Sequence, residues 1–275
     1  MKPFLKTKDF SISQEAFELF YDADLDMLIT KPQPKNLDPY YESATYISHT
    51  DANTTFVDKI YQRVKKYSLS RKVKLIDSYA WKKKTLLDVG AGTGDFLKTA
   101  IRNGWSADGI EPNHHARARA LEKGISLIDR LEAVPGKKYS VITLWHVLEH
   151  LPDLENQILK LVWHLEDKGT LLIAVPNFNS YDANFYKEFW AAYDVPRHLW
   201  HFSRTSIAKL FLKHGLELIK VKPMLFDSFY VSLLSEKYKT GKQNVFKAFA
   251  LGLYSNLAAM RTKEYSSHIY ILKRL

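Results

Sequence analysis

The chain of 275 residues contains no cysteine. Disulfides, a thiol nucleophile and a cysteine-ligated zinc are therefore excluded, and the composition fits a reducing compartment. No apolar run approaches the roughly 20 residues needed to span a bilayer. The opening Met1-Lys2-Pro3-Phe4 carries no run of signal-peptide length, so a cytoplasmic location is the expectation. Acidic residues are in deficit: 30 stand against 40 Lys and Arg, for a formal charge of +10. Such a field attracts anionic substrates, nucleic acid or acidic lipid. The clusters Lys65-Lys66, Lys82-Lys83-Lys84 and Lys237–Lys242 are scattered along the chain, which favours a solvated basic surface. No zinc knuckle or stacked-aromatic RNA-binding signature is present, so nucleic acid is not the expected partner. Internal repeats and low-complexity tracts are also absent. The remaining 46% hydrophobic and 25% charged content is that of a globular chain, long enough for one domain with a sizeable extension.

What is present is organised around residues 85–95, Thr-Leu-Leu-Asp-Val-Gly-Ala-Gly-Thr-Gly-Asp. An apolar run, Leu86, Leu87 and Val89, enters a glycine turn at Gly90, Gly92 and Gly94, and Asp95 and Phe96 open a helical segment. Strand, glycine turn and helix in that order form a nucleotide-binding arrangement. Glycines let the backbone turn sharply and a ligand lie against it. The helix N-terminus offers free N–H groups suited to a carboxylate or phosphate. The G-x-G-x-G spacing departs from the dinucleotide fingerprint, and Asp88 at the strand end disfavours a pyrophosphate while suiting an ammonium or sulfonium.

Strands and helices then alternate. Strands are expected at Thr85–Val89, Ala107–Glu111, Ile125–Ile128, Tyr139–Trp145, Thr170–Val175, Leu216–Val221 and His268–Leu272. Helical segments fall at Asp95–Asn103, His114–Glu122 and Leu154–Leu165. Seven strands with covering helices predict a doubly wound, mostly parallel α/β sheet. Residues 1–80 read as an N-terminal extension or lid, irregular and aromatic to residue 50. Two helical patterns follow, Phe56/Ile60/Val64/Tyr67 and Leu69/Val73/Ile76/Tyr79. Residues 81–275 form the main domain. A helical insert at 224–265 precedes the last strand, with Phe246, Phe249, Leu253 and Leu257 on one face. The stretch Val245–Met260 carries a single charge; packing on its own domain is the expected role, with membrane-surface contact or cover for a greasy substrate as alternatives.

The D-x-G-x-G-x-G run of Asp88, Gly90, Gly92 and Gly94 resembles the first motif of the class I S-adenosylmethionine (SAM)-dependent methyltransferases. Trp145-His146-Val147-Leu148-Glu149-His150-Leu151-Pro152-Asp153 resembles that family's L-E-H-x-x-D motif after the fourth strand. The loop Asp194–Ser203 resembles one that carries a histidine in ubiquinone-biosynthesis-like O-methyltransferases, with His198 at that position. The resemblance covers about residues 85–222 and implies a Rossmann-like fold and SAM as methyl donor, with S-adenosylhomocysteine as product. It implies a cofactor site of Asp88, Gly90, Ala91, Gly92, Gly94, Asp95, Phe96, Glu111, Pro112 and Asn113, with Asp129 flanking the adenine. Glu111, 17 residues after Gly94, also fits on its own as the strand-end acid that accepts ribose hydroxyls. Leu144, Trp145 and His146 would line the methyl end.

Two histidines and an arginine on a non-periodic loop are costly to bury without a task. His198, His146, His201 and Arg197 are the catalytic candidates, with His198 or His146 as base toward a hydroxyl of a small-molecule acceptor. Satisfied core histidines are the competing reading, as is a loop-fixing role for Glu149 and His150. Tyr41, Tyr46 and His49 are candidates to reach cofactor or substrate. His198 and His201 offer two metal ligands and no third is evident, so no metal is expected. Methyl transfer to nitrogen, carbon or RNA, and a SAM-binding scaffold without activity, remain as alternative functions.

Overall fold

The computed structural model describes residues 1–41, 56–80, 83–134 and 136–274. Ten strands and eight α-helices follow one another along them. The strands are β1 (Lys2–Lys8), β2 (Ala16–Asp22), β3 (Met27–Lys31), β4 (Thr85–Val89), β5 (Ser106–Ile110), β6 (Tyr139–Trp145), β7 (Leu165–Pro176), β8 (Trp200–His201), β9 (Leu216–Pro223) and β10 (Ser267–Arg274). The helices are α1 (Phe56–Asp77), α2 (Asp95–Arg102), α3 (His114–Glu122), α4 (Leu154–His164), α5 (Tyr181–Tyr186), α6 (Arg204–Leu212), α7 (Asp227–Thr240) and α8 (Val245–Thr262).

The α/β expectation holds. The main sheet has strand order β5-β4-β6-β7-β10-β9, with β4 parallel to both β5 and β6. It has six strands where the sequence suggests seven. The stretch 125–128 contributes a single parallel bridge, Ile110 to Ile128, because the chain runs beside β5 for only one residue pair. The chain divides into two compact units, one of residues 1–41, 146–154 and 173–272, the other of residues 42–145, 155–172 and 273–275.

In the second unit, the core beneath the glycine turn is Leu97 of α2, Ala120 of α3 and Ile125, with Ala91 and Leu127 packed against it. Each large apolar side chain so buried contributes about 1.5–3 kcal/mol, which holds α2 and α3 in place behind the turn. Helix α1 is continuous over 22 residues, although the sequence divides into two patterns there. Ser68 lies between the patterns and Ser70 just inside the second, and neither is a strong enough breaker to end a helix.

In the first unit, the N-terminal segment differs from the irregular or helical extension that the sequence suggests. Strands β1, β2 and β3 form an antiparallel meander that β8 completes, with Leu28 opposite His201. Aspartates make its turns: Asp9 accepts from the backbone N–H of Ser11 and Ser13, and Asp22 from that of Asp24. Phe17, Leu19 and Leu28 pack against Phe178, Tyr186, Trp190 and Val195.

Helices α7 and α8 form the insert as expected, but α8 packs through the opposite face from its large side chains. Ala248, Leu251, Gly252, Ser255 and Ala259 are buried. A Cβ at Gly252 would lie 2.8 Å from the Phe229 ring, so only a small residue admits this approach. Phe246, Phe249, Leu253 and Leu257 are exposed.

Candidate active site

The turn after β4 has φ of 74° at Gly90, 54° at Gly92 and 74° at Gly94, a left-handed region that favours glycine. Gly92 faces open space, with nothing within 4 Å of an added Cβ, whereas at Gly94 a Cβ would press on Ala120 and Ile125 at 3.2 Å. Gly94 therefore serves packing, and Gly92 leaves the surface where a ligand can approach. The Gly90 and Ala91 N–H groups both donate to the Ile110 carbonyl at 2.8 Å, tying the turn to the end of β5.

Glu111 stands one residue beyond that strand end. Its Oε2 accepts from Gly92 N–H and its Oε1 from Asn113 N–H, both at 2.9 Å. Each carboxylate oxygen has a second lone pair for a hydroxyl. Asn113 caps α3 through Ala116 N–H, and Pro112 is exposed beside it. Asp129 lies at the same edge, exposed and 3.4 Å from Arg130.

Asp88 is buried at 2% exposure and accepts from Thr143 Oγ1 at 2.6 Å, its partner residue across β4 and β6. Burial pushes its carboxyl up to about 7, against the Thr143 hydrogen bond and the charge of Lys72. Asp95 pairs with Lys65 at 2.6 Å and Lys123 at 2.8 Å, and Phe96 packs edge-on to Trp145 at 5.6 Å. Leu144 is fully buried in β6, opposite Val89. The ammonium of Lys72 lies over the Trp145 ring at 4.3 Å. Trp145 Nε1–H is buried with no acceptor among the described residues. An orphaned donor, an open Gly92 and a strand-end carboxylate are together what a ribose-bearing ligand at this turn would engage. Lys65, Lys72, Lys123 and Thr143 were not legible as site residues, because only the fold brings them beside the motif.

A second constellation lies in the other unit and begins at His146, which follows Trp145 in the chain. His146 has φ of 58°, an unusual left-handed backbone for a non-glycine residue. Its Nε2 lies 3.0 Å from Asp227 and its Nδ1 3.4 Å from Glu149. Burial opposes the imidazolium, but the two carboxylates outweigh it and raise the pKa to about 10. The side chain is 35% exposed, so solvent tempers that attraction. Even so, His146 is a cation near neutral pH and poorly suited to accept a proton.

His198 is arranged differently. Its Nδ1 donates to the Ala192 carbonyl at 2.9 Å, and its Nε2 lies 4.0 Å from Asp194 Oδ2. His150 packs edge-on against it at 4.5 Å. The His150 Nδ1 lies 3.1 Å from the Arg197 carbonyl and 2.9 Å from Tyr41 Oη. A carbonyl only accepts, so the proton belongs on Nδ1. Burial and the neighbouring His198 push His150 down to about 4. Glu149 is 1% exposed, and neither carboxylate oxygen has a hydrogen bond among the described residues. Burial pushes its carboxyl up, yet His146 and His198 hold it below the usual range. One ligand atom each of Glu149, His150 and His198 lies within 4.8 Å of the others. This is the third metal-ligating group that sequence spacing does not reveal; it joins His198 to His150 instead of His201.

Two catalytic candidates are committed elsewhere. Arg197 is buried, and its five N–H donors are taken up by Asp194, Asp9, Ser11 and the Tyr40 carbonyl. His201 sits in β8 with its Nε2 3.0 Å from Thr30 Oγ1, and burial holds its pKa well below the ordinary value. Tyr46 and His49 lie outside the described residues.

Residues 61–221, more than half of the chain, match the family described as methyltransferase domain. The chain belongs to that family. Among curated proteins, it is 30% identical over 107 residues to the ubiquinone biosynthesis O-methyltransferase of Serratia proteamaculans (strain 568). It is 29% identical over 106 residues to that of Salmonella paratyphi A (strain ATCC 9150 / SARB42). Both matches cover 35% of this chain and 44% of the relative, so the chain spans less than half the length of the curated relatives it matches. Among solved structures, the magnesium protoporphyrin IX methyltransferase of Synechocystis PCC 6803 with bound S-adenosylhomocysteine has a TM-score of 0.56 at 15% identity. The match covers 86% of this chain and 97% of that one. The geranyl diphosphate C-methyltransferase of Streptomyces coelicolor A3(2) has a TM-score of 0.52 at 14% identity, covering 75% and 77%. At these identities the likeness establishes the fold.

Proposed function

We propose that the chain transfers the methyl group of SAM to a hydroxyl oxygen of a small-molecule acceptor, with His198 as the base. The family match and the glycine turn support the donor. The observation that carries the oxygen acceptor is the His198 ring, pinned at Nδ1 by Ala192, with Nε2 making no hydrogen bond to that carbonyl and lying 4.0 Å from Asp194 Oδ2. The sulfonium supplies an already activated methyl, and the group it leaves behind is a neutral thioether. The residues' work is then positioning and proton transfer. Gly92 and Glu111 would hold the nucleoside, with Trp145 beside them. The new C–O bond forms as the C–S bond breaks, and the hydroxyl proton passes to His198 Nε2. His146, held as a cation by Asp227 and Glu149, is a positioning residue in this reading.

The buried carboxylate of Glu149, which faces the His146 ring at 3.4 Å but makes no hydrogen bond among the described residues, favours a second reading of the histidine cluster, in which Glu149, His150 and His198 hold a divalent cation. Such a cation would lower the pKa of a bound hydroxyl and replace the base. Single-turnover methylation with and without a chelator separates the two: the base reading predicts no change, and the cation reading predicts loss that Zn²⁺ or Mg²⁺ restores.

Calorimetry with S-adenosylhomocysteine tests the donor. Failure to bind at about 1 mM, near −4 kcal/mol, would leave the scaffold reading without its ligand and the enzyme reading without its donor. Filter binding with total RNA separates a nucleic-acid acceptor from a small molecule, and methyl transfer to hydroxyl-, amine- or carbon-acceptor panels separates the atoms.

A further inference from the structure

We propose that the outer face of α8 docks on an anionic membrane surface. The helix has 18 residues, a length of about 27 Å at the usual rise per residue. Phe246, Phe249, Leu253, Leu257 and Met260 recur at three- and four-residue spacing and form one stripe. They are 90%, 60%, 44%, 53% and 61% exposed, respectively. The opposite face, mostly of small residues, is already buried against its own unit, and within the stripe Phe249 stacks on Phe229 at 5.1 Å while its outer side stays exposed. The large side chains are therefore not left over from a core. A contiguous apolar stripe of this kind on a soluble fold marks a contact surface.

Charge decides the occupant. From Lys237 to Lys263 the chain carries Lys237, Lys239, Lys242, Lys247, Arg261 and Lys263 and no Asp or Glu. Lys247 pairs with Glu236 at 2.9 Å, while Lys242 and Lys263 stand just outside the two ends of α8 and Arg261 flanks the stripe. An apolar stripe bordered by cations is the pattern of a helix lying in the interface of an anionic bilayer, with the side chains among the acyl chains and the ammonium groups at the headgroups. A second copy stacked on the same face would bring these cations against their equivalents, which disfavours a symmetric dimer there. A greasy acceptor does not fit a stripe that faces solvent. No helix among the described residues is long and apolar enough to cross a membrane, so the contact is peripheral. The proposal does not depend on the nature of the methyl acceptor.

Co-sedimentation of the full chain with vesicles tests it, using phosphatidylcholine alone against phosphatidylcholine with about 30% phosphatidylglycerol. The expected result is about tenfold greater partition onto the anionic vesicles, lost near 0.5 M salt as screening removes the attraction. The pair Phe246→Ser/Leu257→Ser should reduce partition about tenfold, and so, independently, should Lys242→Glu/Arg261→Glu. Unchanged thermal melting shows that each variant is folded. Absence of sedimentation with either vesicle overturns the proposal, as does equal sedimentation of folded variants. Concentration-dependent self-association abolished by the Phe246/Leu257 pair, without vesicle binding, overturns it in favour of a second copy.

Discussion

Arg197 Nη2 donates to Asp9 Oδ1 at 2.9 Å, joining two residues 188 positions apart, both essentially without solvent exposure. Asp194, three residues before Arg197, takes the other side of the guanidinium at 2.6 Å. Burial opposes both charges, but each partner offsets it, so Asp9 stays well below the usual carboxylate range and Arg197 well above its own. The arginine thus fastens the N-terminal meander to the loop that carries His198. Arg197→Met strands the buried Asp9 carboxylate and the partly buried Asp194 one, and should lower the unfolding free energy by about 3–5 kcal/mol, the usual cost of breaking a buried pair. Urea denaturation followed by circular dichroism measures it. A loss below about 1 kcal/mol would show that water relaxes the site and that the clamp is weaker than its geometry suggests.

Glu111 offers a test of the cofactor end. Glu111→Ala removes the acceptor for Gly92 N–H and for two ribose hydroxyls in the proposed site. Affinity for S-adenosylhomocysteine should fall by about 10- to 100-fold, or roughly 1.4–2.7 kcal/mol, read by calorimetry. Glu111→Gln keeps one acceptor oxygen and should fall less. Equal affinity in all three proteins would remove Glu111 from the site.

How far the sequence revealed these features depends on whether their cause is local. The turn at Gly90–Gly94 was legible because left-handed φ angles need glycine wherever the rest of the chain goes. Glu111 was legible because it ends a strand at a fixed distance from that turn. The meander of residues 2–31 was not, because its last partner is His201 and only the fold makes that pairing. Asp9, Lys72 and Asp227 likewise acquire their partners across long loops. In α8 the periodicity was legible but not the inward face. Two apolar stripes compete there, and the close approach to Phe229 at Gly252 selects the one with small side chains.

The two candidate bases, His198 and His146, are separated by their partners. His198→Ala should reduce kcat by about 10²–10⁴-fold and leave S-adenosylhomocysteine affinity unchanged. His146→Gln should leave the acidic limb of the kcat profile where it is in the wild type, because a residue protonated up to about 10 does not titrate there. Asp227→Asn should lower the His146 pKa by removing its closest carboxylate, at 3.0 Å, which proton-resolved NMR of the ring can follow. If His146→Gln abolishes turnover and His198→Ala does not, the assignment of base is reversed.

Acid stability follows from buried rings that resist protonation. His268 is 1% exposed, and burial lowers its pKa to about 4, against an ordinary 6.5. The folded state therefore binds the proton less readily than the unfolded chain. The stability is complete above about pH 6.5 and is lost as pH falls toward 4. For His268 alone the loss at pH 5 is about 2 kcal/mol. His150 shifts the same way for the same cause, so its loss falls in the same window. His146 has the opposite sign: its raised pKa gives stability that is complete below about 6.5 and lost as pH rises toward 10. The two effects together place maximal stability near pH 6.5 to 7.5. Urea unfolding from pH 5 to 9 should show a maximum there, and His268→Gln should flatten the acid side, whatever its effect on stability at pH 7. An acid limb of unchanged slope in that variant would mean that His268 is protonated in the folded state, its ring exchanging the Lys263 carbonyl contact at 3.0 Å for a charged one.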